Sequence, residues 1–372
     1  MIGRREVRDR PPTVLMTADA VGGVWSYAVG LCRSLPQSRF VLATMGPRPR
    51  QAQRDAIREL ENVVLVESDY RLEWMADGVV DFTESRDWLI DLIERHEVDV
   101  VHVNGYAHAR LGVDCPVIVV AHSDVLSWWE AVHKCPVPPD WAGYRRRVIG
   151  GLAAAARVVV PTAAVLEDLE RHYGPLASRA TVIPNGIEPT AFASHDKRPV
   201  VLAAGRLWDA AKNLTVLDAA APELAWPVEI AGDIEHPDGG VASFANVELL
   251  GRLTPAQMAR RVASTAIFAA PALYEPFGLA VLEAAAAGCA LVLGDTPSLR
   301  ENWSGAAIFV DPKDPAALRA TINALIANPQ ERTRLAATAR DRAHRFTLDR
   351  MALAYAALYR DMMRTSARLE TA

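Results

Sequence analysis

Short runs of β-branched residues alternate with longer stretches of helical period along almost the whole 372-residue chain, and few folds tolerate that pattern. It argues for parallel sheets covered on both faces by helices. In the first half the strand candidates are Thr13–Thr17, Phe40–Thr44, Val63–Val66, Val98–Val103, Pro116–Ala121, Val158–Val160 and Thr181–Ile183. Several are apolar on both faces, as buried parallel strands should be. Helices are expected at about Val24–Leu35, Glu84–His96 and Pro161–His172, the last with Thr162 as N-cap. Pro184-Asn185-Gly186 then breaks the pattern, and the polar stretch after it has no helical period. A second series follows. Its strands are Val200–Ala204, Val228–Ala231, Val247–Leu250, Ala266–Ala270, Ala290–Leu293 and one ending at Val310. Its helices lie near Asn213–Ala221, Pro255–Ser264, Leu279–Ala287, Pro315–Ile326, Pro329–His344 and Leu348–Arg364.

The expected fold class is therefore α/β, with two Rossmann-like doubly wound domains in series. Residues 13–187 form the first and 200–346 the second, joined by a linker at 188–199. Residues 1–12 read as a flexible extension and 347–372 as a terminal helix. In such sheets ligands sit beyond the C-terminal ends of the strands, so the cleft between domains is the default site.

Composition removes several alternatives. With 51% hydrophobic and 23% charged residues, disorder is excluded as the main state. The net charge is −5 and neither half is basic, so nucleic acid is not expected as a partner. Cys32, Cys115, Cys135 and Cys289 show no C-x-x-C spacing, which supports neither zinc nor a redox dithiol. A reduced cytoplasmic protein fits best. The apolar run Thr13–Ala18 is too short for a signal-peptide core, and no stretch approaches a membrane span. No G-x-G exists, so the dinucleotide fingerprint is absent, and there is no Gly-Lys pair for a P-loop. The D-x-D metal clamp of many sugar-nucleotide enzymes is missing too. Only four of the forty cations are lysines, which reads as codon bias but makes each lysine worth a question.

Four segments carry candidate chemistry. In Tyr274 to Gly288 a strand ends, Glu275 and Gly278 occupy a loop, and a helix begins near Leu279. A helix start offers unpaired N–H groups and a positive dipole end. Glu275 and Glu283 can flank one ligand, and a carboxylate accepts two hydrogen bonds from a vicinal diol. Glu283 lies in an otherwise apolar helix, where an acid needs a partner. Arg206 and Lys212 follow the first strand of the second domain and could neutralise a diphosphate. Gly22-Gly23 after the first strand lets backbone N–H groups face a phosphate or sugar, although a tight strand–helix turn explains it equally well. His122 ends a buried strand and would point to the cleft, although taken alone a satisfied structural histidine is the better reading, and Trp128 and Trp129 follow as an apolar acceptor platform or as core.

Together these pieces resemble the retaining glycosyltransferases of the GT-B fold, family 4 type. The matching residues span nearly the whole chain: Gly22-Gly23, Asp99-Val-Val-His102, His122, Val160-Pro-Thr162, Val182-Ile-Pro-Asn-Gly-Ile187, Gly205-Arg206 with Lys212, Leu250-Gly-Arg-Leu253, and Glu275 and Glu283 separated by seven residues. The resemblance implies that Arg206 and Lys212 bind a donor diphosphate and Glu283 the ribose diol. It gives Glu275 and the backbone of Phe277, Gly278 and Leu279 to the transferred sugar, and Arg252 and Leu253 to the base. Gly23 would contact the phosphate and His122 the sugar near its reacting carbon. The terminal helix would cross back onto the first domain. The implied reaction is metal-free transfer with retention, from a nucleotide-diphosphate sugar and with no cofactor. The acceptor, a glycan, glycolipid or small molecule, is expected on loops near Asn104–His108 and Asp124–Pro139, with Asn104, Tyr106, Trp128 and Trp129 as contacts. A lipid-linked acceptor would bring the chain to the inner face of a membrane. The stretch Gly294 to Glu301 departs from the family's Gly-Gly turn and Pro-Glu. An epimerase of the same architecture and a non-catalytic sugar-nucleotide-binding protein are the alternatives, and sequence disfavours both.

Overall fold

The computed structural model describes residues 10–75, 82–192, 195–236 and 239–369. Residues 1–9 of the expected extension, residues 193 and 194 of the linker and residues 370–372 of the terminal helix lie outside these. The first domain runs β1 (Thr13–Asp19), α1 (Gly23–Ser34), β2 (Arg39–Met45), α2 (Gln51–Arg58), β3 (Val63–Glu67), α3 (Phe82–His96), β4 (Val100–Val103), β5 (Val117–Val120), α4 (Val125–His133), α5 (Ala142–Ala154), β6 (Arg157–Val160), α6 (Ala163–Tyr173) and β7 (Ala180–Val182). The second runs β8 (Arg198–Arg206), α7 (Leu214–Ala220), β9 (Val228–Asp233), β10 (Glu248–Gly251), α8 (Pro255–Ala263), β11 (Thr265–Ala270), α9 (Leu279–Ala286), β12 (Ala290–Gly294), α10 (Pro297–Trp303), β13 (Ile308–Val310), α11 (Pro315–Ala327) and α12 (Pro329–Ala343). A long helix, α13 (Leu348–Leu369), ends the described chain.

Among the described residues the strands form two sheets, ordered β3-β2-β1-β4-β5-β6-β7 and β10-β9-β8-β11-β12-β13, with every pairing parallel. Each sheet reverses its strand order once, between β1 and β4 and between β8 and β11. Ligands collect at such switch points. The central strands β1, β4 and β5 are buried almost throughout, which is why they read as continuous apolar runs. Helix α13 lays Met351, Tyr355, Tyr359 and Met362 onto the first domain, in one core with Val14, Met16 and Leu31. Its stripe of large apolar side chains thus covers a face that its own domain does not contain. The two crossings between domains lie side by side: Ile187 N–H donates to the Phe346 carbonyl at 3.1 Å, and Leu348 N–H to Ile187 at 2.9 Å. Gly186 is required there, because a Cβ would sit 2.3 Å from the Thr347 oxygen.

Two segments differ from expectation. The stretch Asp124–Pro139, read as irregular, opens with α4, whose N-cap Asp124 accepts from Ser127 N–H at 2.9 Å. The departing stretch after Gly294 forms α10, with Thr296 at the N-cap position and Pro297 at its first turn. Among the described residues, no helix is long and apolar enough to cross a membrane.

Candidate functional site

The β8–α7 and β11–α9 turns meet because β8 and β11 are neighbours at the switch point. Lys212 Nζ donates to Glu275 Oε2 at 2.6 Å, with both side chains mostly buried. Its stem lies over Gly205, where a Cβ would come 3.5 Å from Lys212 Cδ. Arg206 donates to Asp209 Oδ2 at 2.7 Å. Helix α9 starts at Gly278, whose φ of 86° is a left-handed conformation that favours glycine, and no side chain caps its first turn. Its first N–H groups and the positive end of its dipole thus lack a side-chain cap, just after the Glu275 that pairs with Lys212. Inside α9, Glu283 has no hydrogen-bond or ion-pair partner among the described residues. Burial pushes its carboxyl up to about 7.

The first domain closes over this surface. A Cβ on Gly22 would lie 3.7 Å from Arg206 Cδ, and one on Gly23 would lie 3.2 Å from Leu279 Cδ1. The double glycine is thus where the two domains approach closely. Asp19, just before it, is pushed up to about 6 by burial, against the pull of the Val21 N–H and the Arg206 charge. His122 follows β5, and its ring is held down to about 4 by burial.

Several cross-domain contacts were not foreseen. The Trp128 indole N–H donates to Asp209 Oδ1 at 2.9 Å. Burial favours the neutral form of Asp209, but the Arg206 and Lys212 charges and the Trp128 and Ala211 N–H donors outweigh it and hold the carboxyl below its ordinary range. Thr162 Oγ1 donates to the Pro276 carbonyl at 3.1 Å. Glu301, on α10, accepts the first two N–H groups of α6 at 2.9 Å each. The same helix turns Ser298 onto the Glu275 carbonyl and Asn302 onto the Phe277 carbonyl. Helix α10 thus ties the Glu275 loop to the first domain. An acid between two cations was the available signal for Asp209. For Glu301, no local signal named a partner 137 residues away.

Arg252, by way of Asp233, lies next to this cluster, because Asp233 is the register partner of Arg206 between β8 and β9. Arg252 pairs with Asp233 at 3.3 Å, which also meets Arg50 of the first domain at 3.4 Å. Leu253 is half-buried beside it. Trp129 packs on His133 with centroids 4.2 Å apart. Tyr106 is 2% exposed, and its hydroxyl donates to the Ser123 carbonyl. Beyond β1, β2 and β4 the first domain holds a small cleft of about 50 Å³, with Asp19, Arg71, Glu73, Trp74, Asn104 and His108 in its lining.

Comparison with known proteins decides the family. Residues 21–191 match the family described as Glycosyltransferase Family 4, and residues 198–328 match Glycosyl transferases group 1. The chain belongs to the family 4 glycosyltransferases of the GT-B fold. It is 26% identical over 358 residues to a phosphatidyl-myo-inositol mannosyltransferase of Mycolicibacterium smegmatis, covering 88% of this chain and 87% of the relative. It is 29% identical over 320 residues to a D-inositol 3-phosphate glycosyltransferase of Geodermatophilus obscurus, covering 73% and 69%. Among solved structures, sucrose-phosphate synthase of Thermosynechococcus elongatus shares the fold with a TM-score of 0.77 at 18% identity, over 96% of this chain and all of that one. Anabaena HepE in complex with UDP-glucose does so with a TM-score of 0.74 at 16% identity, over 93% and 99%.

In this glycosyltransferase the Trp128–Asp209 bond joins the domains at the cation site itself. Trp128→Phe keeps most of the ring and removes the donor. A hydrogen bond to a charged group contributes about 1.5–3 kcal/mol. The variant is therefore expected to let the two domains move apart, seen as a larger radius of gyration in small-angle scattering without nucleotide. An unchanged profile would mean that the bond does not hold the cleft.

Proposed function

We propose that this glycosyltransferase moves a sugar from a nucleoside diphosphate donor to a hydroxyl of a glycan, glycolipid or small polyol, with retention of configuration and without a metal ion. The observation that carries the donor reading is Glu283, a half-buried carboxyl without a partner among the described residues, in a helix whose start no side chain caps and whose preceding loop holds the Glu275–Lys212 pair. A ribose diol would supply the two donors that Glu283 lacks. Arg206, Lys212 and the Gly23 backbone would hold the diphosphate. Glu275 and the N–H groups at the start of α9 would hold the transferred sugar, with His122 on its other side. The backbone around Arg252 and Leu253 would meet the base. HepE, solved with UDP-glucose, has the same fold, which supports a nucleotide sugar as the donor class.

In the proposed step the acceptor oxygen bonds to the anomeric carbon on the face from which the phosphate leaves. The anomeric carbon–oxygen bond breaks, and the acceptor proton passes to the departing phosphate oxygen. Arg206 and Lys212 stabilise the charge that develops there. They supply positive charge where other enzymes use an ion. The acceptor would enter the cleft beside Asp19 and Asn104. The names of two relatives specify inositol-bearing acceptors, so a cyclitol is the first to try.

The test is a panel of UDP-, GDP- and ADP-sugars, with and without inositol and its phosphates, followed by NMR of the product anomer. Slow donor hydrolysis alone and retained transfer with acceptor are expected. An inverted product would overturn the stereochemical course. An epimerised donor, or tight donor binding without turnover, would overturn the transferase reading.

A further inference from the structure

Asn104 follows β4, and the domain itself sets the direction of its carboxamide. Nδ2 donates to the Thr17 carbonyl at 2.7 Å, and a carbonyl only accepts. Oδ1 therefore faces two imidazoles as an acceptor, 2.8 Å from His122 Nε2 and 3.2 Å from His102 Nε2. Both Nε2 atoms then carry hydrogen, since otherwise lone pairs would oppose each other, and the Tyr27 hydroxyl oxygen, 3.3 Å from His102 Nε2, shares the second of these N–H groups. An amide oxygen has two lone pairs, and these two N–H groups fill them. His102 is fixed at its other nitrogen, where Nδ1 accepts from the Tyr359 hydroxyl at 2.7 Å. His102 and Tyr359 are both fully buried, and Tyr359 belongs to α13. The contacts thus run from the crossing helix through His102 and Asn104 to His122.

We propose that Asn104 is a positioning residue for His122: it fixes the Nε2–H tautomer, leaving Nδ1 as the ring's lone pair to accept a hydroxyl of the transferred sugar. The proposal rests on the reading that His122 meets that sugar. It also moves Asn104 from the acceptor to the scaffold of the donor side. The titratable groups around the two rings are each other, Tyr27 of α1, and Tyr355 and Tyr359 of α13. Burial keeps both rings neutral, His122 down to about 4 and His102 to about 3, so the tautomer persists across the working pH range.

Long-range NMR correlations on the full chain labelled with 15N-histidine read the tautomer directly, with signals assigned through His122→Gln and His102→Gln. The Nε2–H form is expected for His122 between pH 6 and pH 8. Asn104→Asp places a carboxylate at Nε2 and is expected to bring the His122 titration up to pH 6 or above. Asn104→Leu is expected to leave both tautomers populated. At pH 6, Asn104→Asp should weaken binding of the nucleotide sugar at least tenfold while binding of the nucleoside diphosphate alone changes less than twofold. An Nδ1–H tautomer in the wild type, or a His122 signal unmoved in both variants, overturns the proposal. Spectra that move as stated with unchanged nucleotide-sugar affinity overturn the sugar contact. A wild-type chain that binds no nucleoside diphosphate would instead sink the donor-site reading on which the proposal rests.

Discussion

Lys212→Ala is expected to lower kcat/KM for sugar transfer by a factor of about 100 to 1,000, the range found when a single preorganised charge-stabilising donor is removed. Binding of the nucleoside diphosphate alone should weaken by at least about tenfold, or 1.4 kcal/mol. Two effects add. The change removes a charge aimed at the leaving diphosphate. It also leaves Glu275, whose side chain is only 14% exposed, without the cation 2.6 Å away. Breaking a pair from one side costs more than the pair itself contributes, because the remaining charge stays desolvated. Lys212→Arg keeps the charge but must fit a planar fork where the lysine stem lies against Gly205. It should recover part of the diphosphate affinity and little of the rate. Glu275→Gln separates the roles, because it keeps the cation and changes the group assigned to the sugar. A folded Lys212→Ala enzyme with wild-type diphosphate affinity would remove Lys212 from the donor site.

The neighbourhood of that lysine shows what the sequence could disclose. Lys212 and Glu275 are 63 residues apart and meet because β8 and β11 are adjacent. Their adjacency belongs to the doubly wound order, and strands apolar on both faces mark the covered parallel sheet in which that order occurs. The end of a strand is legible, and so is a charge placed there. The choice of partner across the cleft is not. Asp209 stands inside the Gly-Arg…Lys segment, yet its bond to Trp128 depends on how two domains dock. Tyr106 has the residue type of a sugar contact, but it is 2% exposed and its hydroxyl is bonded to the Ser123 carbonyl. Glu283 is the reverse case. Its apolar helix called for a partner, and among the described residues it has none. Helix α10 was hidden by its seven-residue length, although a threonine before Pro297 marked its start.

Glu283 carries the second large effect, a pH dependence of opposite sign for stability and for binding. Its carboxyl is raised from 4.5 to about 7 by burial. The folded chain then holds this proton more tightly than the unfolded chain. Its contribution is greatest below the unfolded value and is lost as pH rises through the folded one. The full gap corresponds to about 3 kcal/mol, and partial solvent contact reduces it to about 1–2 kcal/mol. Glu283→Gln removes the titration. Without nucleotide, its melting temperature should exceed that of the wild type by several degrees at pH 8, and the gain should shrink towards pH 5. Binding runs the other way. A ribose diol donates two hydrogen bonds, which an ionised carboxylate accepts best, so the donor should lower the pKa and expel the proton. At pH 7 about half of the carboxyls are protonated, so calorimetry in buffers of different ionisation enthalpy should show release of up to about half a proton per donor bound. Glu283→Gln should lose that release together with at least about tenfold of affinity, or 1.4 kcal/mol. A variant that gains stability at pH 8 but binds donor as the wild type does would separate the half-buried carboxyl from the ribose.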